Sequence, residues 1–135
     1  MAWYKTPIFR GLITSATDMT LTMDSLRPNG FNATTVPGQG ILEVTTITAA
    51  NVGSVRYTVS IWMVESGGSI GDANKIVNAA AIMPNMTATL FNAGAGDGYL
   101  LTEGMSIHAM VSTANKVKLD ISGRFDDNGG GQVMM

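Results

Sequence analysis

The stretch VRYTVSIWMV, residues 55–64, decides the fold class of this chain. Apolar side chains stand at every second position of it, namely Val55, Tyr57, Val59, Ile61 and Met63. Successive side chains of a β-strand point to opposite faces of a sheet, so this spacing is typical of a strand with one buried face. A helix would scatter the same residues around its whole circumference. The stretch therefore predicts a β-strand.

The same alternation returns near the end of the chain, on two stretches joined by a turn at Ala114-Asn115. The residues predicted to face inward are Ile107, Ala109 and Val111 on the first and Val117, Leu119 and Ile121 on the second. Strands joined by a short turn pair antiparallel and share a buried face. Further strands follow one another at turn-bounded intervals of about ten residues. The chain is therefore predicted to be all-β, an antiparallel two-sheet sandwich, jelly-roll-like, with about eight strands and minimal helix.

The chain of 135 residues has the usual length of one domain, and three parts are predicted within it. Residues 1–40 form an N-terminal part with short strands at 8–13 and 19–23. An arm that docks on a neighbour and a simple edge strand are both open for this part. Residues 41–125 form the sandwich core, and residues 126–135, rich in Gly, form a flexible C-terminal tail.

Charged residues make up 13% of the chain, where about 25% is typical of soluble domains. A surface short of charge suggests contact with other protein, although Thr, Ser, Asn and Gly on exposed strand faces would also account for it. The net charge of −2 gives no electrostatic reason for nucleic-acid or membrane binding. No apolar run reaches the roughly 20 residues of a membrane helix, and the N-terminus lacks the order of a signal peptide. We therefore expect synthesis in the cytoplasm, with neither nucleic acid nor membrane as a partner.

The residues offer no catalytic set, and we expect no enzyme, no cofactor and no metal. His108 is the single histidine, and a Ser-His-Asp reading would need it beside residues such as Ser112 and Asp120. The glycine-rich stretch 94–98 lacks the following helix and the Lys-Ser pair of a phosphate-binding loop, so it is interpreted as a flexible connection. The acidic residues are scattered, and only a calcium site assembled from separate loops stays open.

Apolar residues away from the predicted core are the candidates for a protein interface. Trp62 and Met110 alternate out of phase with the inward residues of their strands, and both residue types are enriched at interfaces. For Trp62 the core is an equally good interpretation. The predicted interface set is Trp3, Tyr4, Trp62, His108, Met110, Met134 and Met135.

Three stretches carry a family resemblance: ITAANVGSVRYTVSIWMVESGG at 47–68, IMPNMTATL at 82–90, and LLTEGMSIHAMVSTANKVKLDISGRF at 100–125. In the order of their strands and turns they resemble small β-sandwich structural proteins of tailed bacteriophages, among them head-decorating, cement and tail-associated subunits. The resemblance extends over residues 41–125 and includes no diagnostic functional residue.

The resemblance implies a virion structural protein, and foremost a capsid cement or decoration protein located in the virion. The implied partners are the major capsid protein or another virion protein, together with further copies of the chain in a dimer or trimer. A tail, neck or fibre-associated subunit is the nearest alternative. An alternative of another class is a carbohydrate-binding module, for which the available stacking rings are Trp3, Tyr57, Trp62 and Tyr99.

Overall fold

The computed structural model describes residues 3–24 and 32–126, which form two antiparallel sheets and a short two-stranded ribbon. The five-stranded sheet contains β1 (Tyr4–Leu12), β5 (Ile41–Asn51), β8 (Thr87–Asn92), β9 (Tyr99–Leu101) and β11 (Val117–Asp126). The four-stranded sheet contains β2 (Met19–Thr20), β6 (Tyr57–Val64), β7 (Lys75–Ile82) and β10 (Ser106–Val111). The ribbon pairs β3 (Met23–Asp24) with β4 (Asn32–Ala33).

The predicted fold class is confirmed, since the chain is nearly all strand and its two sheets are consistent with a sandwich. The helical content of the described residues is one 3₁₀ turn at Asp72–Asn74, in agreement with the predicted minimal helix. None of the helical structure described in residues 3–24 and 32–126 has the length and apolarity to cross a bilayer.

The hydrophobic core contains the inward residues that the alternation predicts on β10 and β11 and most of those on β6. Val55 is the exception, because 55% of it is exposed and β6 begins two residues later, at Tyr57. The prediction that Val55 faces the core is therefore wrong. The segment before β6 belongs to a turn, where side-chain direction no longer follows the pleat of the strand.

The N-terminal part of the chain contributes an edge strand, which is one of the two possibilities left open for it; docking of an arm on a neighbour stays a prediction. β1 pairs with β11 from Tyr4↔Phe125 to Leu12↔Lys118, with a bulge between Pro7 and Phe9. A proline and a bulge are common devices on an edge strand, since both discourage pairing with a further chain. Ile8 is buried beneath this strand, so the N-terminal part shares the core of residues 41–125.

Asp126, the first residue of the predicted C-terminal tail, belongs to the sheet. β11 continues through Asp126, which is buried, so this residue closes the sheet and does not start a tail. The remainder of the predicted tail, residues 127–135, lies outside the described residues, as do residues 1–2 and 25–31.

One fully buried acid, Glu43 on β5, anchors the glycine-rich stretch 94–98 to the outer face of the five-stranded sheet. The backbone N–H groups of Gly96 and Gly98 donate to its two carboxylate oxygens at 3.1 and 2.9 Å. Arg124 on β11 donates to the same carboxylate through Nε at 2.5 Å. The stretch does bind an anion through backbone N–H groups, but the anion is a side chain of its own domain. The stretch 94–98 is therefore fixed to the sheet, and its interpretation as a flexible connection is corrected.

Candidate interaction surface

A buried asparagine, Asn51 at the end of β5, ties together the turns at one end of the sandwich. Its Nδ2 donates to the carbonyl oxygens of Val55 at 2.7 Å and Ile82 at 2.8 Å, and its Oδ1 accepts from the N–H of Gly53 at 2.8 Å. Its own backbone N–H donates to the Met86 carbonyl at 2.9 Å. One side chain thus fixes the β5–β6 turn, residues 52–56, against the β7–β8 turn, residues 83–86.

Four large apolar side chains on these two turns are exposed, and together we call them the turn-end patch. The exposed fractions are 56% for Val52, 55% for Val55, 51% for Met83 and 57% for Met86. Single exposed apolar residues are ordinary, whereas several gathered on rigid neighbouring turns are typical of surfaces that bind protein. The patch is therefore the strongest candidate for an interaction surface.

Charges are distributed unequally between the two ends of the sandwich. The turns 52–56, 83–86 and 112–116 at the patch end contain Arg56 and Lys116 and no Asp or Glu, and the β1–β2 connection at the same end contributes the exposed Asp18. At the opposite end, the described connections 65–74, 93–98 and 102–105 contain four exposed acids and no Lys or Arg: Glu65, Asp72, Asp97 and Glu103. The described turns at the patch end are thus apolar with a small excess of positive charge, and those at the opposite end are acidic. A protein surface with an apolar centre and an acidic rim would complement the patch end.

Trp62 and Met110 lie on the outer face of the four-stranded sheet, as their alternation predicts, since neither belongs to the core. The structure corrects the expected exposure of Trp62, of which only 4% is accessible. The Lys75 ammonium lies 5.3 Å from the centroid of its ring, and the 3₁₀ turn at Asp72–Asn74 packs on the same strand. Met110 is half-buried opposite Ser60. A partner contact through either residue stays a prediction, and for Trp62 it would require Lys75 to move.

The other predicted interface residues lie apart from the turn-end patch. Trp3 stacks on the Arg124 guanidinium, with 4.0 Å between Cζ and the ring centroid. Tyr4 is half-buried in β1 opposite Phe125. Met134 and Met135 fall outside the described residues. The structure therefore does not bring the predicted set together on one surface.

The rings proposed for sugar stacking are also dispersed. Tyr57 and Trp62 are both buried, so neither presents a flat face to solvent. Tyr99 packs against Phe91, with 4.6 Å between ring centroids. Trp3 already has Arg124 on one face.

His108 forms a hydrogen-bonded chain with two residues that the sequence does not single out. Its Nδ1 lies 2.8 Å from Oδ1 of Asp18, and its Nε2 lies 3.0 Å from Oγ of Ser106. A carboxylate only accepts, so Nδ1 donates to Asp18, and Nε2 shares a hydrogen bond with the serine hydroxyl. The expected partners are engaged elsewhere: Ser112 accepts from the Thr58 N–H and Asp120 faces Arg10.

The order Asp18, His108, Ser106 has the atom connectivity of a serine-hydrolase triad, but its surroundings are those of a structural contact. Ser106 is 8% exposed and lies opposite Val64 in the sheet, so its hydroxyl is enclosed. A nucleophile must reach a substrate carbonyl and needs donors for the resulting oxyanion. The hydrogen bonds of His108 fasten the segment around β2 to β10. His108 pairs with Thr20 across these two strands, and its Nδ1 lies 3.4 Å from Oγ1 of Thr20.

The sequence holds a signal for the turn-end patch that the strand analysis overlooks. Val52, Met83 and Met86 directly flank the turn residues Asn51, Gly53, Pro84 and Asn85, where apolar side chains have no sheet to pack on. Apolar residues next to turn-forming residues indicate exposed positions. That these residues lie together at one end of the sandwich could be found only from the structure, which shows which turns are neighbours.

Replacement of Asn51 by alanine is expected to lower the free energy of unfolding by about 2 kcal/mol, because the Val55 and Ile82 carbonyls lose their donor. Urea unfolding measures this loss. Hydrogen exchange should show faster exchange at the Gly53 N–H, which loses its acceptor, and unchanged exchange at the Leu21 N–H, which donates to the Ile107 carbonyl elsewhere. Unaltered exchange at Gly53 would contradict the assigned role of Asn51.

Among the described residues, no group of three or more His, Cys, Asp or Glu is placed to hold a metal ion. No protein-family model, curated protein or solved structure matches the chain.

Proposed function

We propose that this protein is a structural subunit of a bacteriophage virion, a capsid cement or decoration protein that binds the shell through the turn-end patch. The observation that carries the proposal is the set of exposed apolar side chains at 52, 55, 83 and 86, held on turns that Asn51 cross-links. The proposal includes a non-catalytic role and a location in the virion, which the protein reaches after synthesis in the host cytoplasm.

Rigidity of the patch supports a docking role. Side chains on a pre-organised surface lose less conformational entropy on binding than those on a mobile loop. The N–H of Val52 donates to the carbonyl of Lys116 at 2.9 Å, so the third turn is joined to the first two. A contact built on these turns therefore needs little ordering of the subunit.

The identity of the partner follows from the chemistry of the patch and from the resemblance to phage structural proteins. Arg56 and Lys116 beside the patch favour a partner surface with an acidic rim, and the patch itself favours an apolar centre. The major capsid protein is the proposed partner. Further copies of the chain, as a dimer or trimer on the shell, complete the proposal.

Aspartate at two patch positions is expected to abolish shell binding without unfolding the subunit. Val52→Asp combined with Met86→Asp places two charges where apolar contact is required, so the Kd for capsids should rise at least about tenfold. Both side chains are exposed, and each change should alter the free energy of unfolding by no more than about 0.5 kcal/mol. Co-sedimentation with capsids that lack the protein measures binding, and urea unfolding measures stability.

Leu100→Asp is the matched control for this experiment. Leu100 is exposed to the same degree as Met86 but lies on β9, toward the acidic end of the sandwich. This variant should bind capsids like the unmodified protein. Equal binding by the patch variant would remove the patch from the proposal, and failure of the unmodified protein to pellet with capsids would refute the cement role. Pelleting with isolated tails alone would favour the tail-associated alternative.

A further inference from the structure

A shallow groove lies on the outer face of the five-stranded sheet, where β1, β5 and β11 meet residues 93–95. Its volume is about 530 Å³, which is within the usual range for sites that bind small molecules. Three cationic side chains line it, Lys5, Arg10 and Arg124, together with the hydroxyl-bearing residues Thr45 and Ser122. The groove is separate from the turn-end patch, and its use does not depend on the proposed function.

The register of the sheet places two of these cations directly opposite each other. Lys5 on β1 faces Arg124 on β11 across the strand pair. Like charges at directly opposed positions destabilise a sheet. Arg124 is neutralised by Glu43 beneath it, whereas no carboxylate of the described residues lies within 4.0 Å of the Lys5 ammonium. The arrangement therefore leaves a positive charge at the groove that no carboxylate in residues 3–24 and 32–126 balances.

The second arginine of the groove is held only loosely. Nε of Arg10 lies 3.4 Å from Oδ1 of Asp120, and both side chains are substantially exposed. Exposed pairs of this kind contribute little, and a guanidinium has further N–H groups to donate. The Arg124 guanidinium is fixed between Glu43 and the ring of Trp3, so its remaining donors keep one direction. The groove thus offers many donors on a pre-organised wall.

We propose that this groove binds an oxyanion group, a phosphate or a carboxylate, between Lys5, Arg10 and Arg124. Guanidinium groups match the paired oxygens of both groups, and the ammonium adds a point charge. The groove is larger than one such ion, so the oxyanion belongs to a larger molecule, such as a small phosphorylated compound or an acidic side chain of a partner. A phosphate dianion balances the site better than a carboxylate and is expected to bind more tightly.

Titration of the full chain with inorganic phosphate and, separately, with acetate at constant ionic strength tests this assignment. The NMR signals of Arg10 and Arg124 Nε–H and of the Lys5 side chain should move with each anion and saturate. The double variant Lys5→Ala with Arg10→Ala should weaken binding at least about tenfold, because it removes two charge-assisted donors. Tighter binding of phosphate identifies a phosphate-bearing ligand, and tighter binding of acetate identifies a carboxylate ligand; both support the site.

The control variant removes the same charge from elsewhere on the same protein. Lys75→Ala with Lys118→Ala takes away two cations that do not line the groove. Phosphate affinity should stay within about twofold of the unmodified protein, since exposed charges at a distance are largely screened. Groove signals that stay fixed with both anions, or an equal loss of affinity in the control, would overturn the proposal. Neither result would affect the capsid-binding test, which uses other residues.

Discussion

Among the glycines that the structure describes, Gly123 is the one whose replacement by alanine is expected to be most damaging, lowering the free energy of unfolding by at least about 4 kcal/mol. A β-carbon at this position would overlap the carbonyl oxygen of Glu43 and lie 2.9 Å from its carbonyl carbon. These are backbone atoms of the neighbouring strand, so no side-chain rotation relieves the overlap. The register between β5 and β11 shifts at Ser122/Gly123, and the close approach occurs at this irregularity.

Gly11→Ala is the matched control, since Gly11 also lies in the five-stranded sheet and also pairs with β11. A β-carbon there would meet only Phe9 Cζ, at 3.7 Å, which is ordinary contact. Urea unfolding of both variants at neutral pH measures the difference. A Gly123 variant as stable as the Gly11 variant would show that β5 and β11 do not approach as described.

Glu43→Gln is expected to cost about 3 kcal/mol of the free energy of unfolding at pH 7. The amide offers one acceptor oxygen where the carboxylate offers two, and its NH₂ group would face a donor. Arg124 would also lose its only described counter-ion. Exposed Glu65→Gln removes the same charge from the surface and should change stability by less than about 0.5 kcal/mol.

The effect of Glu43→Gln should depend on pH in a defined direction. Burial by itself raises the pKa of Glu43, but hydrogen bonds from the Gly96 and Gly98 N–H groups and the bond and charge of Arg124 lower it below its ordinary value of 4.5. A carboxyl with a lowered folded-state pKa contributes stability that is complete above the ordinary value and is lost as the pH falls through the folded-state value.

Urea unfolding of the unmodified protein and of the Glu43→Gln variant at a series of pH values tests this dependence. The stability difference between the two proteins should be largest at neutral pH and shrink below pH 4.5. A difference that stays constant from pH 7 to about pH 3 would mean that the Glu43 carboxylate contributes no more than its neutral form.

The turn-end patch and the groove between Lys5, Arg10 and Arg124 illustrate how a candidate site can be missed when only the strands of a sequence are analysed. Val52 and Met86 stand on turns that are distant in the sequence, and the pairing of β5 with β8 together with the hydrogen bond from the Asn51 N–H to the Met86 carbonyl makes these turns neighbours. Lys5 and Arg124 stand near opposite ends of the chain, and only the pairing of the first strand with the last makes them neighbours. No local stretch of sequence indicates that these residues are neighbours, because their proximity depends on the order of strands in the sheet.

Burial on the outer faces was equally hard to predict. Trp62 alternates away from the core and yet is enclosed, because Lys75 and the 3₁₀ turn that precedes it cover the sheet there. A glutamate in a strand, such as Glu43, indicates a position that faces solvent, but the stretch 94–98 folds over this side chain. Alternation reports whether a side chain points toward the core, and it does not report what lies on the other side of the sheet.

By itself, the sequence determined that this protein is all-β and which face of β6, β10 and β11 is inward, because a strand with one buried face must alternate apolar side chains with a period of two. It also determined the turns at Asn85 and Asn115, whose left-handed φ angles of 60° and 64° asparagine tolerates. The tertiary structure alone decided which turns and which charges adjoin. That choice lies in long-range strand order and register, and these are set by the packing of the whole core and not by any local stretch.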